Sequence, residues 1–275
     1  MQFKDKQLSL SSPRVMGILN VTPDSFSDGG QHNARDSAID RAHRMAEQGA
    51  DFIDIGGEST RPGAADVAEQ EELDRVIPVI EALSGQLDAV ISIDTSKAAV
   101  MKEAVNAGAA LINDVRALQE PDALAMASEL NVPVCLMHMQ GQPRSMQQAP
   151  HYRDVVREVN DFLLARVKAC HNAGIKEQNI ILDPGFGFGK ALSHNYQLLR
   201  HLPQVAALGY PLLVGMSRKS MIGNLLSRDV EKRLAGSVAV ATIAAHLGAN
   251  IIRVHDVEET ADAVNIVKYI NALEE

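Results

Sequence analysis

The residues of this chain that can do chemistry recur at one kind of place. Asn20, Asp54, Asp94, Asn113, His138, Asp183, the run from Ser217 to Ser220, Arg253 and His255 each stand at or just past the end of a short apolar stretch. Two chemical sets separate among them. Asp94, Asn113 and Asp183 are rich in acceptors, and a buried ionised carboxylate only accepts and can take two parallel N–H donors at once. The small-molecule partner that fits is a cyclic guanidine edge, as in a pterin or guanine ring. The competing reading is that one carboxylate simply pairs with a nearby Lys or Arg. Arg61, Lys219, Arg253 and His255 form a basic set, suited to a phosphate-bearing substrate. Arg253 and His255 alternate along one stretch, so both point to the same face.

Composition narrows what such a site can serve. The formal net charge is −9, so binding to nucleic acid or to an anionic membrane is not expected, and the groups that hold an anion must be gathered locally. The cysteines are Cys135 and Cys170, with no C-x-x-C pair, which gives neither a disulfide framework nor a structural zinc site. Residues 1–10 are polar and charged, unlike a signal peptide. No apolar run is long enough to span a membrane, and the cytoplasm is the expected compartment. There is no H-E-x-x-H and no compact His/Asp cluster for a tightly held metal. The segment Gly185-Phe186-Gly187-Phe188-Gly189-Lys190 looks like a nucleotide loop but fails its spacing, because Pro184 stands where the first Gly belongs and Ala191 follows the Lys. It reads as a flexible strand-to-helix turn that lets Phe188 lie over a flat ligand. His138, between Met137 and Met139, reads as a satisfied core histidine.

The elements that must position these groups show in the hydrophobic pattern. Eight short runs at 14–19, 51–55, 89–93, 110–113, 132–137, 180–182, 211–214 and 250–254 are apolar on both faces, as parallel strands covered on both sides are. Between them, 34–48, 97–107, 121–130, 152–173 and 232–247 have apolar spacing near a helical period. Gly49, Gly108, Gly174 and Gly248 follow four of these helices, as left-handed caps do. A β/α beat repeated eight times predicts a closed TIM (β/α)8 barrel, one domain over residues 1–275. Aromatics are only 4% with no Trp, so Val, Ile, Leu and Ala are expected to fill the core. The first ten residues are left over for a small lid at the barrel's bottom. In such barrels the active site lies at the C-terminal ends of the strands, where all the residues above converge.

The stretch 17–30 (GILNVTPDSFSDGG) resembles the first signature of bacterial dihydropteroate synthases, and 54–63 (DIGGESTRPG) resembles the second. The segments 92–95 (SIDT), 113–115 (NDV), 183–188 (DPGFGF), 217–220 (SRKS) and 253–256 (RVHD) follow in the family's order. The resemblance implies condensation of a pterin pyrophosphate with 4-aminobenzoate. It implies that Asp94, Asn113 and Asp183 read the pterin edge, with Lys219 near the ring and Met137 and Gly215 lining the pocket. Asn20, Arg61, Arg253 and His255 would serve pyrophosphate and Mg²⁺, with Asn20 on the metal. Thr60, Pro62, Phe188, Lys219 and Ser220, with Phe26, would form the 4-aminobenzoate site, and Asp28 would stabilise positive charge on the pterin. The loops 21–33 and 61–69 would act as lids, and the family implies a homodimer. A corrinoid-linked methyltransferase barrel would share the ring readers without the pyrophosphate group. A non-catalytic pterin binder would lack Arg61, Lys219 or Asp28, all of which are present.

Overall fold

A computed structural model describes residues 1–21, 30–59, 66–141, 146 and 150–273, with side chains from residue 35 in the second stretch. Phe26, Asp28, Thr60, Arg61 and Pro62 lie outside the described residues. The chain opens with a hairpin, β1 (Gln2–Phe3) against β2 (Lys6–Gln7). Eight parallel strands follow: β3 (Arg14–Asn20), β4 (Phe52–Gly56), β5 (Val90–Asp94), β6 (Leu111–Asp114), β7 (Val134–Met137), β8 (Ile180–Asp183), β9 (Leu213–Val214) and β10 (Ile251–Val254). Their order is β8-β7-β6-β5-β4-β3-β10-β9. A parallel bridge between Leu182 and Leu212 joins the two ends, and the sheet closes as the expected barrel.

The helices α1 (Gly30–Glu47), α3 (Ala98–Ala107), α4 (Ala123–Leu130), α5 (Val155–Asn172) and α9 (Leu234–His246) match the five segments with helical spacing. The structure adds α2 (Glu69–Leu83), α6 (Leu192–Arg200), α7 (Leu202–Ala206), α8 (Ser220–Leu226) and α10 (Val257–Ala272). Both loops expected as lids are shorter than their sequence bounds, because α1 already begins at Gly30 and α2 at Glu69. α2 is hard to see in sequence because Pro78 lies inside it. Its face of Val76, Val79, Ile80 and Leu83 is fully buried nonetheless, and that burial outweighs the cost of a Pro within a helix.

Alternation along the strands sorts their side chains into two sets. Val15, Leu19, Ile53, Ile55, Ile91 and Ile93 belong to the large core between sheet and helices. Met16, Phe52, Val90, Leu111, Cys135, Ile181, Leu213 and Ile251 form a separate cluster inside the barrel at its N-terminal end. The hairpin plugs that end: Phe3 is fully buried and meets Phe52 edge-on, with ring centroids 5.2 Å apart. Lys6 Nζ donates to the carbonyls of Leu87 and Ala89, and Lys4 Nζ to that of Val105, which ties the plug to the strand entrances. The first ten residues therefore do close the bottom. Val, Ile, Leu and Ala do not fill the core alone, because Phe3, Phe52 and Phe186 are among the largest fully buried side chains. A ring fills a large interior space with little rotamer entropy lost.

Candidate active site

Two residues further along five of the eight strands, the same inward face turns polar. Phe52 is followed by Asp54, Val90 by Ser92 and Asp94, Leu111 by Asn113, Ile181 by Asp183 and Ile251 by Arg253. Asp54 is fully buried, and Asp94, Asn113 and Asp183 are nearly so. Arg253 on β10 crosses the interior to strands that are not its neighbours. Its Nε donates to Asp54 Oδ2 at 2.6 Å and its Nη2 to Asp94 Oδ2 at 2.7 Å. Asp54 Oδ2 also accepts from Asn113 Nδ2 at 3.0 Å, and its Oδ1 accepts from Ser92 Oγ at 2.6 Å. The two sets separated on sequence thus meet in one network, and the pairing of Asp94 with an arginine holds together with its place at the mouth.

Three acceptors of this layer are left over. Asp183 Oδ1 accepts from the Gly185 amide at 2.7 Å, and Asp94 and Asn113 make only the side-chain bonds just given. Asp94 Oδ1, Asn113 Oδ1 and Asp183 Oδ2 accept from no described residue. Burial pushes the Asp94 carboxyl up to about 7, against the pull of Arg253, with Asp54 adding to the rise. Burial also raises Asp183, opposed by Lys219. Among the described residues the fully buried side-chain atoms without a partner are Glu72 Oε1 and Asn160 Oδ1, so these three oxygens are open to the mouth of the barrel, where a ligand edge carrying several N–H groups can meet them.

Lys219 stands over this layer. Its Nζ donates to the Phe186 carbonyl at 2.6 Å and lies 4.5 Å from the centre of the Phe188 ring, a cation–π distance. Burial lowers its pKa to about 8 against the attraction of Asp183. The loop before it is held from three sides. Arg218 has a left-handed φ of 57°, unusual for a residue with a side chain. Its guanidinium makes a two-point ion pair with Asp256, its amide donates to Ser237 Oγ, and its carbonyl accepts from Arg233. That fixes the start of α8, where Ser220 is exposed, and links it to the end of β10, where His255 Nδ1 lies 3.1 Å from Ser217 Oγ.

The 185–190 turn is held rather than loose. Gly185 and Gly189 have left-handed φ values of 69° and 62°; a Cβ on Gly185 would come within 1.9 Å of the His138 carbonyl oxygen, and one on Gly189 within 2.3 Å of the Gln140 carbonyl oxygen. No other residue type fits there. Lys190 is buried inside the turn and does not reach toward a phosphate. Its Nζ bonds the Gly185 carbonyl at 2.8 Å, the Phe188 carbonyl at 3.1 Å and His138 Nδ1 at 2.9 Å. Burial brings the Lys190 pKa down to about 7 and that of His138 to about 2. His138 is thus a satisfied neutral core histidine, as its surroundings in sequence suggest.

Of the remaining expected residues, Met137 ends β7 and Gly215 follows β9, both buried. The Gly215 position faces Arg253, and a Cβ there would sit 3.7 Å from the Arg253 Cβ. Asn20 ends β3 with its Oδ1 3.8 Å from where a Cβ on Gly56 would be, beside Asp94. Glu58 Oε1 accepts from the Val67 amide at 3.4 Å, and Glu58 Oε2 pairs with Lys97, which also binds the buried Glu72. Both flanks of segment 60–65 are thereby tied to α2 and the start of α3. A separate cavity of about 750 Å³ is lined by Glu58, Ser96, Lys97, Lys102, Arg116 and Asp122, and none of the three acceptor residues borders it. Sequence reasoning assigned no role to Asp54 or Lys190; a charge inside a run otherwise apolar on both faces was the available signal for the first.

The sequence profile of the pterin binding enzymes matches residues 16–255. The dihydropteroate synthase of Escherichia coli (strain K12) is 57% identical over 261 residues, covering 95% of this chain and 93% of that protein. The chain belongs to the dihydropteroate synthases. Among solved structures, the Yersinia pestis family member in a sulfonamide drug complex superposes with a TM-score of 0.95 at 58% identity, covering 99% of both chains. The Xanthomonas albilineans member in complex with 7,8-dihydropteroate superposes with a TM-score of 0.88 at 51% identity, covering 96% of both. The polar layer at the top of the barrel is therefore the part of a dihydropteroate synthase where its chemistry is to be sought.

Proposed function

We infer that this chain joins 6-hydroxymethyl-7,8-dihydropterin pyrophosphate to 4-aminobenzoate, giving 7,8-dihydropteroate and pyrophosphate, a transferase step of folate biosynthesis. The observation that carries this reading is the trio of unfilled acceptors, Asp94 Oδ1, Asn113 Oδ1 and Asp183 Oδ2, set under a cation. A pterin edge supplies the donors they lack, and Lys219 offers an N–H to the ring's own acceptors. Met137 and Gly215 flank the ring.

The reaction is a substitution at the exocyclic methylene. Arg253 and His255 stabilise charge on the departing pyrophosphate, as preorganised donors do, and Arg61 adds to them. The electron-rich ring carries the positive charge left on the methylene, with Asp28 countering it. The aniline nitrogen has a usable lone pair and little basicity, so no strong general base is required. Thr60, Pro62, Phe188, Lys219 and Ser220, with Phe26, would receive 4-aminobenzoate, and a sulfonamide drug would compete there, as the Yersinia pestis complex suggests.

Mg²⁺ would fit this donor set through few protein oxygens. Among the described residues no group of three or more His, Cys, Asp or Glu side chains could hold a metal. A hard cation taking one oxygen from Asn20 and the rest from substrate phosphate and water suits Mg²⁺. When bound it would supply charge neutralisation to the leaving group.

A homodimer is supported by the apolar surface of the last helices. α9 is apolar nearly all round, and Ile243, Ile266, Tyr269 and Ile270 of α9 and α10 are exposed, a concentration that marks association surfaces. No described helix is long and apolar enough to cross a membrane; a cytoplasmic location is part of the proposal.

The direct test is incubation with the pterin pyrophosphate and 4-aminobenzoate while following pyrophosphate. Release that depends on both substrates, with dihydropteroate formed in equal amount, is expected. Absence of release with both present overturns the reading.

A further inference from the structure

Asp54 touches no part of the space above the polar layer. It is fully buried, and the groups that meet it are donors from three other strands: Ser92 Oγ, Asn113 Nδ2 and Arg253 Nε. A carboxylate so placed accepts only. The side of the Asn113 amide that faces it must therefore be the NH₂, and the carbonyl must turn the other way. Without such a neighbour an amide can present either end, since the two differ little in shape. Arg253 is constrained in the same manner. With Nε on Asp54 and Nη2 on Asp94, its plane is fixed by carboxylates from two strands, and Nη1 is the nitrogen left to point elsewhere.

We propose that Asp54 is the positioning residue that sets the polarity of the pocket: it makes Asn113 an acceptor toward the ring and aims Arg253 at the leaving group, without meeting the substrate itself. The proposal rests on reading Asn113 as a reader of the pterin edge. Its consequence is a specificity rule. With Asp54 in place the layer shows acceptors from Asp94, Asn113 and Asp183, which favours a donor-rich edge. A flat ring of the same size with a carbonyl in place of the amino group meets acceptor against acceptor and is rejected, because mismatched buried polar groups discriminate strongly.

The test compares pterin with lumazine, which carries a carbonyl where pterin carries its exocyclic amine. Calorimetry on the full chain should find a strong preference of the unmodified protein for pterin. Asp54→Asn keeps the shape but can offer an N–H of its own, so Asn113 is free to turn. We expect the pterin-to-lumazine affinity ratio to fall at least tenfold, and kcat with the pyrophosphate substrate to fall more than its KM changes.

The exchanged pair Asp54→Asn with Asn113→Asp returns an accept-only oxygen to the ring side, because the new amide at 54 donates to one oxygen of the new carboxylate and leaves the other. This variant should recover most of the ratio, and it carries the test if Asp54→Asn alone does not fold. Ser92→Ala, which frees Asp54 Oδ1 without touching Asn113 or Arg253, should leave the ratio unchanged. Equal losses for both rings in Asp54→Asn, with no recovery in the exchanged pair, would overturn the proposal and leave Asp54 a structural group. Unaltered pterin affinity in Asn113→Ala would instead remove the reading of Asn113 on which the proposal stands.

Discussion

The two ends of the barrel interior are built from the same strands and differ in what they ask of their residues. At the bottom, Met16, Phe52, Val90, Leu111, Cys135, Ile181, Leu213 and Ile251 pack against Phe3 with no polar side chain among them. At the top, one inward position further on, Asp54, Ser92, Asp94, Asn113 and Asp183 sit nearly as deep, with Arg253 half-buried above them. The bottom lowers the free energy of the fold by removing apolar surface from water. The top raises it, since buried charges are costly even when paired, and it returns that cost when a ligand with matching donors arrives. Stability and recognition are thus separated along the barrel axis by the length of two residues.

The largest expected effect tests the bottom. Phe52→Ala removes a fully buried ring that meets Phe3. It should cost roughly 3–5 kcal/mol of stability, read from urea unfolding. Pterin affinity of the fraction that remains folded should stay near the original value. A large loss of affinity without loss of stability would erase the division between the two ends.

Asp183→Asn tests the top in the opposite sense. It puts a donor where the ring presents an N–H, and pterin binding should weaken by roughly 2–4 kcal/mol. Stability should not fall, because a buried charge is replaced by a neutral amide of similar shape. Calorimetry and unfolding on one sample decide it, and retained affinity would sink the assignment of Asp183.

A pH series sharpens the same contrast. Asp94, raised to about 7 by burial, must be ionised to accept from Arg253 and from the ring at once, so pterin affinity should drop as pH falls below that value. Lys219, lowered to about 8 by burial, must be protonated to donate, so affinity should drop again as pH rises past it. The expected profile is a peak between the two, falling about tenfold per pH unit on the acid side. An affinity that is flat from pH 5 to pH 9 would mean that neither group meets the ligand.

Smaller effects should appear at the rims. His255→Ala should weaken the pyrophosphate-bearing substrate by about 1 kcal/mol and leave a pterin without pyrophosphate unchanged; equal losses would mean that His255 shapes the pocket generally. At the opposite end, Lys6→Met gives up bonds to the Leu87 and Ala89 carbonyls. It should cost about 1 kcal/mol of stability with no change in turnover.

The sequence by itself determined the architecture and the inventory of the site. Short runs apolar on both faces and glycine-capped helices are local signals, set by strand burial and helix capping over a few residues. Eight such runs with helices between them specify a barrel and the end at which Asp94, Asn113, Asp183, Lys219, Arg253 and His255 must collect. What only the tertiary structure decided is how those groups partner. Arg253 meets Asp54 and Asp94 across the barrel at separations of 199 and 159 residues, and no spacing rule reaches so far. The buried role of Asp54, the turning of the Asn113 amide and the inward course of Lys190 all depend on which side chain closes over which. Register and curvature settle that once the chain has come round on itself, because a carboxylate chooses its donor by distance in space and not along the sequence.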